Sequence, residues 1–146
     1  MNKTQMLEAM QNAKQIHLAQ MEKIDNVLSN KKIDDPTPIG KMECECGKWF
    51  YSNEDEIKHV LGSQLFNKLD FVHENWHKQY AKIYDIFFKE EKKGFFAKLL
   101  GNKVDDMLVD KAKLYYTELE LLTKELLQTT DVATRRISAL QESKFK

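Results

Sequence analysis

The sequence predicts an all-α protein, an antiparallel helical bundle of the four-helix type, and two observations lead to this fold class. The 146 residues include only 5 glycines and 2 prolines, whereas 42% are hydrophobic and 32% are charged. This balance favours helices over turn-rich β architectures. Apolar residues also recur at intervals of three and four along most of the chain, as they do on the buried face of a helix. The chain is long enough to bury a core of its own.

The first helix is predicted between residue 4 and about residue 30, with Thr4 as its N-cap. Apolar or small residues are spaced by three and four throughout this segment. They are Met6, Met10, Ala13, His17, Met21, Ile24 and Leu28. Because His17 lies on this apolar stripe, we expect its side chain to point into the bundle.

The next segment, residues 31–51, interrupts the helical pattern and is predicted to be a long loop. It contains both prolines and both cysteines of the chain, Cys44 and Cys46, together with Gly40 and Gly47. Loops of about twenty residues are uncommon inside a compact domain. We therefore expect specific contacts to hold this loop against the helices.

A short helix is predicted to be capped by Ser52 or Asn53 and to end near Leu61, where Gly62 is a natural residue after a helix C-terminus. Glu56 follows Asn53 by three residues, and this spacing predicts a capping box.

Two long helices follow, each with its own apolar pattern. Ser63 is predicted to cap a helix that runs to about residue 92, and its apolar residues cover two adjacent faces, so that it should contact neighbours on two sides. A short apolar turn at residues 95–100 is predicted to form a tip of the bundle, and a last helix is predicted over residues 103–141. The apolar positions of that last helix are Leu108, Tyr115, Leu119, Leu122, Leu126, Ala133, Ile137 and Leu140.

Two short patterns contain candidate metal ligands. The first is His73-Glu74-Asn75-Trp76-His77, in which the histidines are four residues apart and lie on one face of the predicted helix. The second is Cys44-Glu45-Cys46-Gly47-Lys48-Trp49 in the predicted loop. Each pattern alone also fits simple core side chains, since buried cysteines are common without a ligand. Together with an inward His17, however, they supply four ligands, the number that a closed zinc site takes.

The order Cys-x-x-Gly-x-Trp and then His-x-x-x-His, with a further histidine on a preceding helix, resembles the chemoreceptor zinc-binding (CZB) domain family of bacteria. The resemblance covers residues 10 to 90 and implies an α-helical bundle in which three histidines and one cysteine hold zinc. Carried over to this sequence, the ligands are His17, Cys44, His73 and His77. The remaining histidine, His59, has no place in that pattern, and we interpret it as a surface or cap residue.

The resemblance also implies a regulatory function. Members of the family sense zinc or oxidants such as hypochlorous acid, and they regulate chemoreceptor or cyclic-di-GMP-synthesising modules. No such output module is recognisable here, and we divide the chain into a zinc-binding core at residues 1–92 and a connector with a long helix at residues 93–146. That helix would pack on the same bundle or on a partner. A homodimer and signalling partners such as chemoreceptors are expected.

The two cysteines have different expected roles. Zinc would keep Cys44 as a thiolate, which is the form that oxidants attack. Cys46 is not required by the family pattern and is either a resolving thiol for oxidised Cys44 or a bystander.

Charge and hydropathy argue against several other classes of protein. Lys and Arg total 23 and Asp and Glu total 23, so the chain lacks the basic excess of nucleic-acid binders and polybasic membrane-surface proteins. No apolar run approaches the ~18 residues of a membrane-spanning helix, and residues 1–11 contain no apolar stretch like that of a signal peptide. Two cysteines so close in sequence make no disulfide framework. We therefore expect a cytoplasmic protein.

Catalysis and two other functions remain as alternatives. We expect no enzyme, because four protein ligands leave no open position on zinc for a substrate. A helical interaction or adaptor protein with a purely structural zinc is the main alternative. A hemerythrin-like di-iron bundle is a further one, although the 4 histidines of the chain are too few for it.

Overall fold

The computed structural model describes residues 1–31, 36–88 and 106–145, and within these ranges the regular structure is entirely helical. Its elements are α1 (Lys3–Leu28), α2 (Glu45–Ser52), α3 (Glu54–Leu61), α4 (Ser63–Phe87), α5 (Asp106–Ala139) and a 3-10 turn (Glu142–Lys144). This confirms the prediction of an all-α bundle. The predicted turn at residues 95–100 lies outside the described residues.

Helix α1 is capped by Asn2, so the prediction of Thr4 as the cap was wrong. The Asn2 side chain accepts a hydrogen bond from the backbone N–H of Gln5, and the Gln5 side chain accepts one from the backbone N–H of Asn2. This reciprocal pair needs a polar side chain three residues after the cap, and the residue three after Thr4 is Leu7. The buried residues of α1 all belong to the predicted stripe, and they are Met6, Met10, His17, Met21 and Ile24. The other two members of that stripe, Ala13 and Leu28, are half-buried.

Helix α2 lies inside the segment that was predicted to be a loop. It begins at Glu45 because Cys44 acts as its N-cap, with Sγ accepting a hydrogen bond from the backbone N–H of Gly47 at 3.2 Å. The remaining segment, residues 36–44, is held by side chains of α4, as a long loop requires. Tyr80, for example, donates a hydrogen bond to the backbone carbonyl of Thr37 at 2.8 Å.

Helix α3 begins after Asn53 without the predicted capping box. The Asn53 side chain donates to the backbone carbonyl of Trp49 at 2.7 Å and makes no cap hydrogen bond. Glu56 instead pairs with the terminal amine of Met1 at 2.8 Å. A contact one helical turn earlier and a contact with the distant Met1 therefore replace the local pair that the spacing suggested.

Gly62 ends α3 as predicted, in a left-handed conformation with φ of +81°. The same residue is also the N-cap of α4, a position that the sequence assigned to Ser63. Helix α4 ends at Phe87, about a turn earlier than the predicted residue 92, and Phe88 is its C-cap.

Helix α5 packs along both α1 and α4. Its C-terminal half shares a core cluster with the first turns of α1, and its N-terminal half shares a second cluster with the last turns of α1. It therefore runs antiparallel to α1. Leu108 was predicted on the buried stripe but is 40% exposed, because it lies two turns before Tyr115, the first residue of α5 in a cluster.

The two core clusters leave a gap on α1 in which His17 lies. The last α1 residue in the first cluster is Met10, and the first α1 residue in the second cluster is Met21. Trp76 and Tyr80 of α4 belong to the second cluster. No helix in the described ranges has the length and apolar character to cross a membrane.

Candidate metal centre

Three histidines converge in the gap between the two clusters. His17 comes from α1, and His73 and His77 come from α4. One ligand nitrogen of each can be chosen such that all three lie within 4.8 Å of one another. The rings are at most 4% exposed, so water barely reaches them. His73 and His77 are one helical turn apart, and their Nε2 atoms lie 3.2 Å from each other, as the spacing of four residues predicted.

Cys44 adjoins this group through His73. Its Sγ lies 3.3 Å from His73 Nε2, and the residue is 3% exposed. Cys44 is not a member of the group whose ligand atoms all lie within 4.8 Å of one another, which in the described part of the chain consists of the three histidines. Tetrahedral zinc, with Zn–N about 2.0–2.1 Å and Zn–S about 2.3 Å, sets its ligand atoms about 3.3–3.7 Å apart. The separations of His73 Nε2 from its two neighbours are close to that spacing.

Backbone carbonyls orient two of the three rings. His17 Nδ1 lies 2.9 Å from the carbonyl oxygen of Ala13, and His77 Nδ1 lies 2.9 Å from that of Ile39. Since a carbonyl oxygen only accepts hydrogen bonds, each Nδ1 carries the proton and each Nε2 keeps a lone pair. This is the arrangement that second-shell acceptors impose on zinc-bound histidines.

His17 Nε2 provides the test of whether a metal fits. It is a buried nitrogen without a hydrogen-bond partner in the described chain. Burying an unsatisfied polar atom is costly, and native structures contain few of them. A cation bound at this lone pair would remove the cost, so the residues present fit zinc, for which imidazole and thiolate are preferred ligands.

Burial keeps the histidines in the form that binds metals. It lowers the pKa of His17, lowers the pKa of His77 to about 4, and lowers that of His73 to about 2 with the help of repulsion from the neighbouring histidines. All three are therefore neutral at pH 7. Burial raises the pKa of the Cys44 thiol, although the hydrogen bond from the Gly47 backbone lowers it in part. Metal coordination would ionise that thiol.

The close contacts around Gly47 explain why the Cys-x-x-Gly-x-Trp pattern has a glycine at this position. A Cβ atom on this residue would lie 1.6 Å from the carbonyl oxygen of Lys41 and 3.3 Å from Cys44 Sγ. A glycine here therefore lets the first turn of α2 approach the preceding segment closely enough for the backbone N–H to reach the Cys44 sulfur.

The Trp76 side chain borders the candidate metal centre on the side of the second cluster. The Trp76 ring is 5.0 Å from the His17 ring, centroid to centroid, and 0% exposed. Its indole N–H donates to Thr123 Oγ1 at 2.8 Å, which anchors α4 to α5. Thr123 is 47 residues from Trp76 in sequence, and no local pattern predicts this pair.

Sequence reasoning also missed three polar residues behind His73. Tyr51 Oη lies 3.4 Å from His73 Nδ1 and donates to Asp70 Oδ1 at 2.6 Å, and Lys41 Nζ lies 2.8 Å from the same carboxylate oxygen. Burial opposes ionisation of Asp70, but hydrogen bonds from Lys41 and Tyr51 lower its pKa below the usual value. The available sequence signal was Asp70 itself, which precedes His73 by three residues and so shares its helix face.

The leftover residues Cys46 and His59 do not join the histidine group. Cys46 is a free, half-buried thiol, and burial together with the neighbouring Cys44 raises its pKa to about 12. It lines a cavity of about 30 Å³ that also reaches His17 and His73. His59 is exposed in the last turn of α3, where the sequence analysis had interpreted it as a surface residue.

Comparison with known protein families finds a match over the residues of the candidate metal centre. Residues 17–84 match the family model of the chemoreceptor zinc-binding domain. No curated protein and no solved structure matches the chain significantly. The matched segment begins at His17 and includes Cys44, His73 and His77, and a domain of this family takes zinc as its metal. Over residues 17–84 the chain is therefore similar to the chemoreceptor zinc-binding domain, a zinc-binding domain of chemotaxis and signalling proteins.

Proposed function

We propose that this chain is a zinc-binding regulatory protein that senses zinc or an oxidant, with His17, Cys44, His73 and His77 as ligands. The observation that supports this most directly is the buried, unpartnered Nε2 of His17. The neighbouring Nε2 of His77 also carries a lone pair, because its Nδ1 donates to Ile39. Lone pairs that face one another in a buried site repel, and bound zinc would supply the positive charge that holds them together.

Oxidant sensing would act through the sulfur of Cys44. The thiolate attacks the chlorine of hypochlorous acid and hydroxide leaves, R–S⁻ + HOCl giving R–SCl + OH⁻. Hydroxide then displaces chloride, R–SCl + OH⁻ giving R–SOH + Cl⁻, so that sulfur has lost two electrons overall. The sulfenic acid is a poorer ligand than the thiolate, so the zinc site weakens. The segment at residues 36–44 is attached to α4 partly through His77 and Ile39, and a change at the ligands would reach it directly.

In a second step of this proposal, Cys46 would act as a resolving thiol for oxidised Cys44. A resolving thiol would form a disulfide with the sulfenic acid and release water, R–SOH + HS–R′ giving R–S–S–R′ + H₂O. A ring that joins residues i and i+2 is strained, and the competing role for Cys46 is that of a bystander.

The proposed site is regulatory rather than catalytic. Four protein ligands complete the tetrahedral coordination of zinc and leave no position for a substrate. A homodimer, and a link to chemotaxis or cyclic-di-GMP signalling, belong to the same proposal. The alternative is an adaptor whose zinc is purely structural. A di-iron site needs bridging carboxylates, and within the described ranges the metal-binding group contains histidines alone.

Metal content tests the ligand set. Wild-type protein purified without added metal should contain about one zinc per chain, and Cys44→Ala and His77→Ala should lose most of it. His59→Ala and Cys46→Ser are the matched controls and should keep wild-type zinc. Two irons per chain would favour the di-iron alternative, and a wild-type protein without metal would contradict the proposal.

Oxidant treatment tests the sensory part. One equivalent of hypochlorite should release zinc from the wild type, as followed with a zinc-binding dye, and mass spectrometry should find the first added oxygen on Cys44. A zinc site that the oxidant does not reach would keep its metal under the same treatment, and this result would contradict oxidant sensing. A Cys44 sulfenic acid with unmodified Cys46 and no disulfide would rule out the resolving role of Cys46.

A further inference from the structure

A chain of hydrogen bonds extends from His73 away from the metal centre to the surface of the bundle. His73 Nδ1 lies 3.4 Å from Tyr51 Oη, Tyr51 Oη lies 2.6 Å from Asp70 Oδ1, and Lys41 Nζ lies 2.8 Å from that same oxygen. The Lys41 side chain is 24% exposed and that of Asp70 33% exposed. This series of hydrogen bonds therefore runs from partly exposed side chains at the surface to a buried imidazole.

Counting protons along this chain determines the tautomer of His73. Asp70 forms an ion pair with Lys41, so its carboxylate is an acceptor only. The single O–H proton of Tyr51 is donated to Asp70, which leaves the phenol oxygen as an acceptor towards His73. The proton between them must then come from His73 Nδ1. His73 Nε2 consequently carries a lone pair, and this is the atom that faces Cys44 Sγ and His77 Nε2.

The same carboxylate oxygen also organises the cysteine. Lys41 belongs to the segment that leads to Cys44, and its own carbonyl oxygen lies 3.4 Å from Cys44 Sγ. The Lys41 ammonium is 5.2 Å from the centre of the Tyr51 ring, in cation–π geometry. Asp70 Oδ1 thus connects the helix that carries His73 with the segment that carries Cys44.

We propose that Tyr51 and Asp70 are positioning residues of the zinc site, which hold the His73 proton on Nδ1 and hold Cys44 beside His73 Nε2. This inference rests on the proposed ligand set, since the hydrogen bonds from Asp70 and Tyr51 to His73 affect zinc binding only if His73 is a zinc ligand. We call this series of hydrogen bonds the relay. It adds residues that touch no ligand atom on zinc but decide which histidine nitrogen is offered to the metal. Outer-shell partners of this kind alter metal affinity by about 10–100-fold.

The test is zinc affinity, measured by competition with a chelator of known affinity, in Tyr51→Phe and Asp70→Asn. Tyr51→Phe keeps the ring and removes the hydroxyl, and Asp70→Asn keeps the shape and removes the charge. Both variants should bind zinc about 10–100-fold more weakly than the wild type. Helical circular dichroism of the zinc-loaded proteins should stay unchanged. If Tyr51→Phe does not fold, Asp70→Asn alone still decides the question.

A second measurement separates positioning from general destabilisation. Long-range ¹H–¹⁵N correlation spectra of the metal-free protein report which ring nitrogen carries the proton. His73 should be protonated on Nδ1 in the wild type and should become a mixture of tautomers in Tyr51→Phe.

Matched controls come from elsewhere in the bundle. Tyr116→Phe removes a hydroxyl that lies 3.5 Å from the carbonyl of Met21, and Asp131→Asn breaks the 2.7 Å ion pair with Lys14. Both should bind zinc like the wild type. Unchanged zinc affinity in Tyr51→Phe and Asp70→Asn, with a wild type that loads zinc, would overturn the relay and leave the proposed function intact. A wild type that does not load zinc would overturn both.

Discussion

At the scale of single residues, the candidate metal centre depends on which atom of each proposed ligand has a free lone pair. The sequence identified the histidine and cysteine side chains, because spacing along a helix determines which of them share a face. It did not identify the partners of the ring Nδ1 atoms. Those of His17 and His77 are backbone carbonyls, and every residue has a carbonyl, so no residue type signals such a partner in advance.

Gly47→Ala is expected to damage the site without changing any ligand. The added Cβ would overlap the backbone carbonyl of Lys41 at 1.6 Å, and backbone atoms cannot rotate away as a side chain does. The first turn of α2 must therefore shift away from Cys44. We expect a loss of about 1–3 kcal/mol of unfolding free energy and weaker zinc binding, measured by urea denaturation and by chelator competition.

Gly40→Ala is the matched control for that substitution. Its Cβ would meet the Glu43 side chain at 3.1 Å, and the exposed Glu43 can move aside. Zinc affinity equal to the wild type in both alanine variants would show that the close approach at Gly47 is not needed for the site.

At the scale of elements, periodicity predicted the helices better than it predicted their ends. The three long helices were identified because apolar spacing is a local property that survives in any packing. Three of the predicted caps were wrong, one of them because Gly62 rather than Ser63 is the N-cap of α4. The other two were wrong for different reasons. Asn2 was overlooked in favour of Thr4, although Asn2 has a suitable partner in Gln5, whereas the capping box at Glu56 was replaced by a tertiary contact with Met1.

The loop predicted at residues 31–51 shows what a composition argument misses. Proline and glycine signal irregular backbone, and residues 36–44 are indeed irregular. Helix α2 nevertheless begins at Glu45 because a cysteine sulfur serves as the cap acceptor. Cysteine is not among the usual N-cap residues, so the sequence contained no recognised start signal there.

At the scale of the whole molecule, the metal centre is a polar layer between two apolar clusters. Metal-free protein must keep three neutral imidazoles buried there, and burial is what lowers the pKa of His77 to about 4 and that of His73 to about 2. The unfolded chain has ordinary histidines, with pKa about 6.5. As the pH falls below that value, these histidines bind protons in the unfolded state but stay neutral in the folded state.

The metal-free protein is accordingly expected to lose stability in acid. Each such histidine contributes stability that is fully present above pH about 6.5 and is lost at about 1.4 kcal/mol per pH unit as the pH falls towards its folded pKa. Urea denaturation in the presence of a chelator at pH 7.5, 6 and 5 measures this dependence. His77→Gln should reduce the slope by about one proton. A flat profile in the wild type would contradict the buried neutral histidines.

The sequence by itself determined the helical class, the buried stripe of α1 and the set of side chains able to bind zinc, because these follow from residue type and local spacing. The tertiary structure alone decided that Ile39 orients His77, that Tyr51 and Asp70 stand behind His73, and that Cys44 caps a helix beside it. The contacts to His77 and from Cys44 to His73 join residues 38 and 29 positions apart. Contacts of that range form only when the helices pack, so no local pattern encodes them.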